Sequence, residues 1–277
     1  MMTVLRKLGG SLFNVIMLVF SVSCVFPIIW IMYSSLKTKS EFMLNIVSLP
    51  AAPQFENYYR AFVEGKLYTY LISSLLNSFT VVFIVIVLAF CIGFVLARYR
   101  FKGRNFFYTL FIVGMLIPVY ALIVPLFVQF KVIGLYDKFY TLILPYVAIR
   151  LPLSIFLFES FIRTVPMELD EAAYIDGAST FYTLSRILFP VCKPATATIF
   201  ILAFLDTWNE FPFALVLITK DAFKTLPVGL TNFYGQYTTD YTTLMAALVL
   251  SILPVIVVYL LFYKKIIQGM TAGAVKG

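Results

Sequence analysis

Four stretches of this chain run without a single charged residue: Leu8–Leu36, Leu67–Ala97, Asn105–Phe130 and Tyr241–Tyr263. Each is long enough to cross a bilayer, which takes about 20 predominantly apolar residues. Two more runs, Phe139–Phe158 and Pro194–Thr219, match them in length but are interrupted, the first by Arg150 and the second by Asp206 and Glu210. A backbone in hydrocarbon must satisfy its own N–H and C=O groups, and a helix does so within one segment. With 62% hydrophobic and only 12% charged residues, the chain has more apolar side chains than a water-soluble surface tolerates. The sequence predicts an all-α integral membrane protein, one transmembrane domain over residues 1–277. Six transmembrane helices fall near residues 12–34, 70–97, 106–130, 139–161, 194–218 and 242–263.

Arg6 and Lys7 precede the first run, and "SVSC" at residues 21–24 loosely resembles a lipoprotein cleavage site. The apolar run continues past Cys24 to Leu36, longer than a signal core, so this segment reads as an uncleaved helix. Basic residues orient the helices. With the N-terminus cytoplasmic, the inner connections hold the dense cluster "RYRFKGR", Arg98–Arg104, and basic residues there outnumber those outside. The net charge of +8 then serves topology and anionic headgroups rather than nucleic acid. The chain has no histidine, and its 3 cysteines, Cys24, Cys91 and Cys192, lie scattered in apolar segments, which excludes His-based catalysis or metal binding and implies no disulfide framework. No P-loop occurs, so any ATP that drives this protein is hydrolysed by another chain, which would also hold the Mg; no cofactor is expected here.

The connection after the fourth run gathers an unusual share of the acid: "ELDEAAYIDGA", Glu168–Ala178, carries Glu168, Asp170, Glu171 and Asp176. Pro166 suits a first helical position, and the acids that follow favour the positive end of a helix dipole. Gly177 supplies a left-handed cap, and Ser179 or Thr180 starts a second helix that Pro190 ends. The result is a helix hairpin over 165–190, its acids wet and its Ala172–Ala173 pair small enough for close approach by another surface. Read from caps alone, it serves equally as a plain connector.

The stretch "EAAYIDGASTFYTLSRILFP" resembles the cytoplasmic signature of membrane subunits of ATP-driven, binding-protein-dependent importers. Its spacing is Glu171-Ala172-Ala173, Gly177, Ile187 and then Leu-Pro, with Phe189 where that family usually has leucine. "LARYRFKGR", "LIPVYALIVPLF", "TWNEF" and the terminal "GMTAGAVKG" are similar to the carbohydrate branch, the smaller membrane subunit of maltose-type permeases in particular. The resemblance implies a permease in which Glu171, Ala172, Ala173, Asp176 and Gly177 form a coupling hairpin docked on an ATPase. It further implies a heterodimer with a second permease subunit, two ATPase subunits, and an extracellular or periplasmic binding protein that delivers a sugar, all in the cytoplasmic membrane of a bacterium or archaeon.

Arg150 and Asp206 both fall near mid-bilayer at about 1.5 Å per helical residue. A central charge costs roughly 2.5–3.5 kcal/mol on insertion scales, so such groups face the bundle, a cavity or each other. They form either an ion pair that fixes two helices or part of a polar path with Asn209 and Glu210, which share a helix face with Asp206 by i, i+3, i+4 spacing. Trp208 and Tyr120 are candidates for stacking on sugar. A different class of function, a self-sufficient secondary transporter or channel, would use these charges as an ion relay and leave the hairpin without a task.

Overall fold

The computed structural model describes residues 2–233 and 240–274, and side chains for 13–233 and 240–263. Within them all regular structure is helical. Four helices are long and apolar enough to cross a membrane: Phe13–Ser34, Leu67–Arg98, Ile143–Ile162 and Tyr241–Tyr263, the last continuing as helix to Ala274. Two bent pairs raise the count to six if each is one span.

The bends have local causes. The run expected as one helix over 106–130 is instead Arg104–Gly114 and a segment from Val119 to Val132, set at 89° to one another. Between them Pro118 is extended, at φ −63° and ψ 104°, and it offers no N–H to a preceding turn. A proline also drives the residue before it out of the α region, so apolarity continues where the helix does not. The second pair, Thr180–Val191 and Lys193–Trp208, meets at 77° around Cys192. The run expected as one helix over 194–218 breaks once more: Lys193–Trp208 ends, and Pro212 opens a short helix, Pro212–Leu217.

The chain divides into two units, Met1–Tyr68 with Leu230–Leu253 and Thr69–Gly229 with Pro254–Gly277. In the first, Thr38 and Glu41 form a reciprocal capping box on the helix Lys39–Leu44. The fully buried Lys37 donates from Nζ to the carbonyls of Asn45 and Ile46, both at 3.0 Å, and Asn57 Nδ2 bridges the carbonyls of Ser35 and Lys37. Lys39 pairs with Asp240 at 2.8 Å, and Phe42 stacks on Tyr241. Residues 234–239 of the long connection before Asp240, and 275–277 of the C-terminal tail singled out above, lie outside the described residues.

The second unit holds the main core. Val81, Val85 and Ala89 recur every four residues along Leu67–Arg98 and pack with Tyr146, Ile155, Phe158 and Ile162 of Ile143–Ile162 and with Ile199, Phe213 and Leu217. The two long helices approach so closely at Gly93 that a Cβ there would lie 2.9 Å from the Phe158 Cβ and 3.1 Å from the Glu159 nitrogen. At the Arg98–Arg104 end, Arg104 donates to Glu159 at 3.1 Å and to the Leu96 carbonyl at 2.7 Å, while Arg163 reaches the same Glu159 oxygen at 2.5 Å.

Candidate functional site

Both breaks in the expected spans border one cavity of the second unit, of about 410 Å³. It is lined by Val119, Tyr120, Tyr146, Ile149, Arg150, Leu205, Asp206, Asn209, Glu210 and Phe213. Where the helix Lys193–Trp208 ends, Asn209 turns its amide back to the Leu205 carbonyl at 2.9 Å. Glu210 follows in the gap, and its carboxylate accepts the N–H groups of Phe213 at 2.8 Å and Ala214 at 3.2 Å. It thus satisfies the orphan donors at the start of Pro212–Leu217, where the helix dipole favours a negative charge. The fully buried Tyr146 donates its hydroxyl to the same carboxylate from the helix Ile143–Ile162. Glu210 therefore joins a cavity wall to a helix start, and the break that exposes it is held by its own charge.

Arg150, one helical turn from Tyr146, carries its guanidinium carbon 5.2 Å from the Tyr146 ring centroid, within cation–π range. Its Nε is buried with no hydrogen-bond partner among the described residues. Asp206 and Glu210 both act electrostatically on the guanidinium, but Arg150 and Asp206 form no ion pair within 4 Å. Of the two arrangements the sequence left open, an ion pair or a shared polar path, the two side chains share one lining without pairing. Tyr120 belongs to the same lining, its ring 6.4 Å from that of Phe213.

Trp208 is placed elsewhere. It is buried and stacked on Phe204 at 5.6 Å, away from the cavity lining. Asp206, Asn209 and Glu210 do come together, though not as one helical face, since Glu210 lies beyond the helix end. Tyr146 was not singled out by the sequence, because its partner is 64 residues away and nothing local marks it.

The second feature is the hairpin. Helix Glu168–Ile175 has three acids in its first turn and ends in a two-bond cap: Ala178 N–H to the Ala173 carbonyl at 2.9 Å and Gly177 N–H to the Tyr174 carbonyl at 3.0 Å. Gly177 takes the required left-handed conformation at φ +74°, with open space where a Cβ would point. Ser179 caps the next helix by accepting the Tyr182 N–H at 3.2 Å. The alanines expected to form one small face divide: Ala173 is buried and Ala172 exposed. Beside the exposed Glu171, Asp176 and Gly177, the most exposed large apolar side chains of the hairpin are Tyr174 and Ile175, 83% and 82% exposed, which sequence reasoning left out.

The hairpin is tied to the spans by Arg98, the last residue of Leu67–Arg98. Its Nε lies 2.6 Å from Asp170 Oδ2, and its Nη2 donates to the Val165 carbonyl at 3.0 Å. Burial pushes the Asp170 carboxyl above the usual range, and the Arg98 charge pulls it part of the way back.

Comparison with known proteins gives these features a family. The family described as binding-protein-dependent transport system inner membrane component matches residues 89–272. The chain is 40% identical over 252 residues to a putative ABC transporter permease protein, ORF2, of Caldicellulosiruptor sp. (strain Rt8B.4), covering 91% of each chain. It is 34% identical to the sulfoquinovosyl glycerol transport system permease protein SmoH of Agrobacterium fabrum, covering 92% of this chain and 90% of that one. It is also 34% identical to the trehalose/maltose transport system permease protein MalG of Thermococcus litoralis, covering 93% of both. In fold it matches a chain of a bacterial ABC transporter involved in the import of alginate, with a TM-score of 0.85 at 23% identity over 93% of this chain and 96% of the other. A multi-pass helical chain with a capped hairpin tied to its spans, matched over nine-tenths of its length by such permeases, belongs to the inner membrane components of binding-protein-dependent transport systems, the ABC-importer permease subunits that leave ATP hydrolysis to separate chains.

Proposed function

We propose that this permease carries a sugar or oligosaccharide through the cavity of Tyr120, Tyr146, Arg150, Asp206, Asn209 and Glu210. The observation that carries the reading is the chemistry of that lining. Donors, acceptors and aromatic edges alternate with Val119, Ile149 and Leu205 around about 410 Å³, a combination suited to a polyhydroxyl ring with polar rims and apolar faces. The names of the relatives, which speak of trehalose/maltose, sulfoquinovosyl glycerol and diacetylchitobiose, support the carbohydrate class.

In this reading six spans cross the cytoplasmic membrane of a bacterium or archaeon with the N-terminus inside: the four long helices, the bent pair Arg104–Gly114 with Val119–Val132, and Lys193–Trp208 followed by Pro212–Leu217. The hairpin 165–190 faces the cytoplasm, and Glu171, Ala172, Asp176 and Gly177 with Tyr174 and Ile175 meet an ATPase subunit that holds ATP and Mg. A second permease subunit completes the path, and a binding protein supplies the solute. ATP-driven closure of two ATPase subunits moves the hairpins, and the helices they hold turn the cavity from one side to the other. The free energy enters through the different affinities of the partners for the two states. An exposed apolar tip flanked by acids, on an element with no role in an ion relay, favours this mechanism over a self-sufficient transporter.

The test is to purify the chain from its native membrane, identify its partners by mass spectrometry, and measure sugar uptake in proteoliposomes. Stoichiometric ATPase and second permease, with ATP-dependent uptake lost in Gly177→Asp, are the expected result. Solute movement by the chain alone, driven by an ion gradient, overturns it.

A further inference from the structure

A second concave surface of the second unit shares no lining residue with the cavity above. It is a groove of about 610 Å³ between the helix Leu67–Arg98, the hairpin's second arm and the helix Lys193–Trp208. Along the first helix its lining runs from Phe79 to Cys91. Opposite stand Phe189 and Phe200, with Phe79 against Phe200 at 6.2 Å and Phe90 against Phe189 at 5.2 Å. The two hydroxyls that border it are already committed to backbone: Ser185 donates to the Phe181 carbonyl at 2.7 Å and Thr196 to the Cys192 carbonyl at 3.0 Å. The groove therefore offers an occupant an apolar wall with no free hydroxyl.

Its length and its ends are informative. From Phe79 to Cys91 the helix rises about 18 Å at 1.5 Å per residue, close to one leaflet of a hydrocarbon core about 30 Å thick. A spanning helix packed along its full length would need a longer track. The ring pairs set the direction: the Phe90 end lies beside Phe189 and points toward Arg98, and the Phe79 end lies deeper, beside Phe200. Two exposed basic residues stand close in sequence to the lining, Arg186 next to Ser185 and Lys193 three residues before Thr196. Among the described residues neither makes an ion pair. An apolar slot about one leaflet long, with exposed basic residues adjoining its lining in sequence, suits a phospholipid with an anionic headgroup.

We infer that the groove from Phe79 to Cys91 is a binding site for an anionic phospholipid, one acyl chain lying along Phe83, Val87 and Phe90 and the phosphate meeting Arg186 and Lys193. Because the hairpin's second arm forms one wall, the lipid bridges the hairpin to two spans, and its headgroup sets how firmly that arm is held.

Cys91 lines the groove and offers a reporter, once the other exposed cysteine is removed by Cys24→Ser; Cys192 is buried. The assembled complex, labelled with bimane at Cys91, is reconstituted in phosphatidylcholine containing either chain-brominated phosphatidylglycerol or chain-brominated phosphatidylcholine. Brominated phosphatidylglycerol is expected to quench at roughly 25-fold lower mole fraction, since each of the two basic residues near an anionic lipid is worth about fivefold, and Arg186→Gln with Lys193→Gln should erase the difference. Native mass spectrometry of the unlabelled complex should show phosphatidylglycerol retained by the parent and lost by the double variant. Equal quenching by both lipids overturns the proposal, leaving a groove open to bulk bilayer. Quenching by neither also overturns it, meaning that a protein segment covers the groove.

Discussion

Arg98 Nε sits 2.6 Å from Asp170 Oδ2, joining the end of a helix that crosses the core to the first turn of the hairpin. Both side chains are largely buried, and the Arg98 Nη2 bond to the Val165 carbonyl fixes the hairpin's entry as well. A buried pair of this kind adds little net stability, because desolvation offsets attraction, yet removing one partner strands the other charge. Its value here is positional: motion of the hairpin is motion of Arg98. Asp170→Asn is expected to leave the complex assembled while substrate-stimulated ATP hydrolysis and uptake fall by roughly 5- to 150-fold, the range of a coupling free energy of 1–3 kcal/mol. The exchange Arg98→Asp with Asp170→Arg should restore part of the loss. Wild-type uptake in Asp170→Asn rejects the linkage.

Gly177 separates backbone preference from side-chain bulk. Its φ of +74° lies where residues other than glycine are strained, yet a Cβ would meet no atom within 4 Å. The penalty for substitution is therefore conformational, about 1–2 kcal/mol for an ordinary L-residue, and smaller for asparagine, which tolerates this region. Co-purification of the ATPase should rank Gly177, Gly177→Asn, Gly177→Ala, Gly177→Val in descending order. If alanine and valine variants retain ATPase as the parent does, the cap does not shape the docking surface.

The spans were legible where chemistry is distributed along the chain. Leu67–Arg98, expected near 70–97, announces itself because no charge interrupts it and a basic cluster stops it. The bends were not legible, because hydropathy is indifferent to direction: the apolar run continues through Pro118 while the helix axis turns. The hairpin's cap could be read from a glycine and a serine in sequence. Its tether to Arg98 could not, since an acid four residues from a proline looks like any first-turn acid. The cavity was half readable. Asp206, Asn209, Glu210, Arg150 and Tyr120 stand out as polar or aromatic in greasy surroundings, but looking for aromatic rings to stack on sugar also drew in Trp208, whose ring packs on Phe204.

Glu210 carries three hydrogen bonds that a neutral or shorter side chain cannot reproduce. Glu210→Ala orphans two helix-start donors and the buried Tyr146 hydroxyl, and bonds to a charged group are worth about 1.5–3 kcal/mol. We expect a clear drop in melting temperature in detergent for Glu210→Ala and a smaller one for Glu210→Gln, which keeps one acceptor. In a double-mutant cycle, Tyr146→Phe should cost less on the Glu210→Ala background than alone, because the bond it removes is already gone. Additive losses would mean that the two side chains act independently.

Asp137 gives the chain a pH dependence of known sign. It lies in the turn between Val132 and Ile143, with φ +57°, and accepts the N–H groups of Thr219 and Lys220 at 2.9 and 3.0 Å and the Thr219 hydroxyl at 2.7 Å. Burial alone would push its carboxyl up, but these bonds and the Lys220 charge win and hold it below the usual range. The folded chain thus keeps Asp137 ionised more firmly than the unfolded chain does. The resulting stabilisation is complete above the ordinary carboxylate pKa of about 3.9, and it is lost as pH falls through the lower folded-state value. Asp137→Asn keeps one acceptor but no charge, so it should be less stable than the parent at pH 7 by about 1.5–3 kcal/mol. The gap should begin to close as pH falls below about 4 and narrow further as pH falls through the lower folded-state value, where the parent carboxyl takes up its proton. Melting curves of both proteins across that interval decide it: a gap that persists unchanged at the acid end would show that the side chain's shape, and not its charge, holds the two segments together.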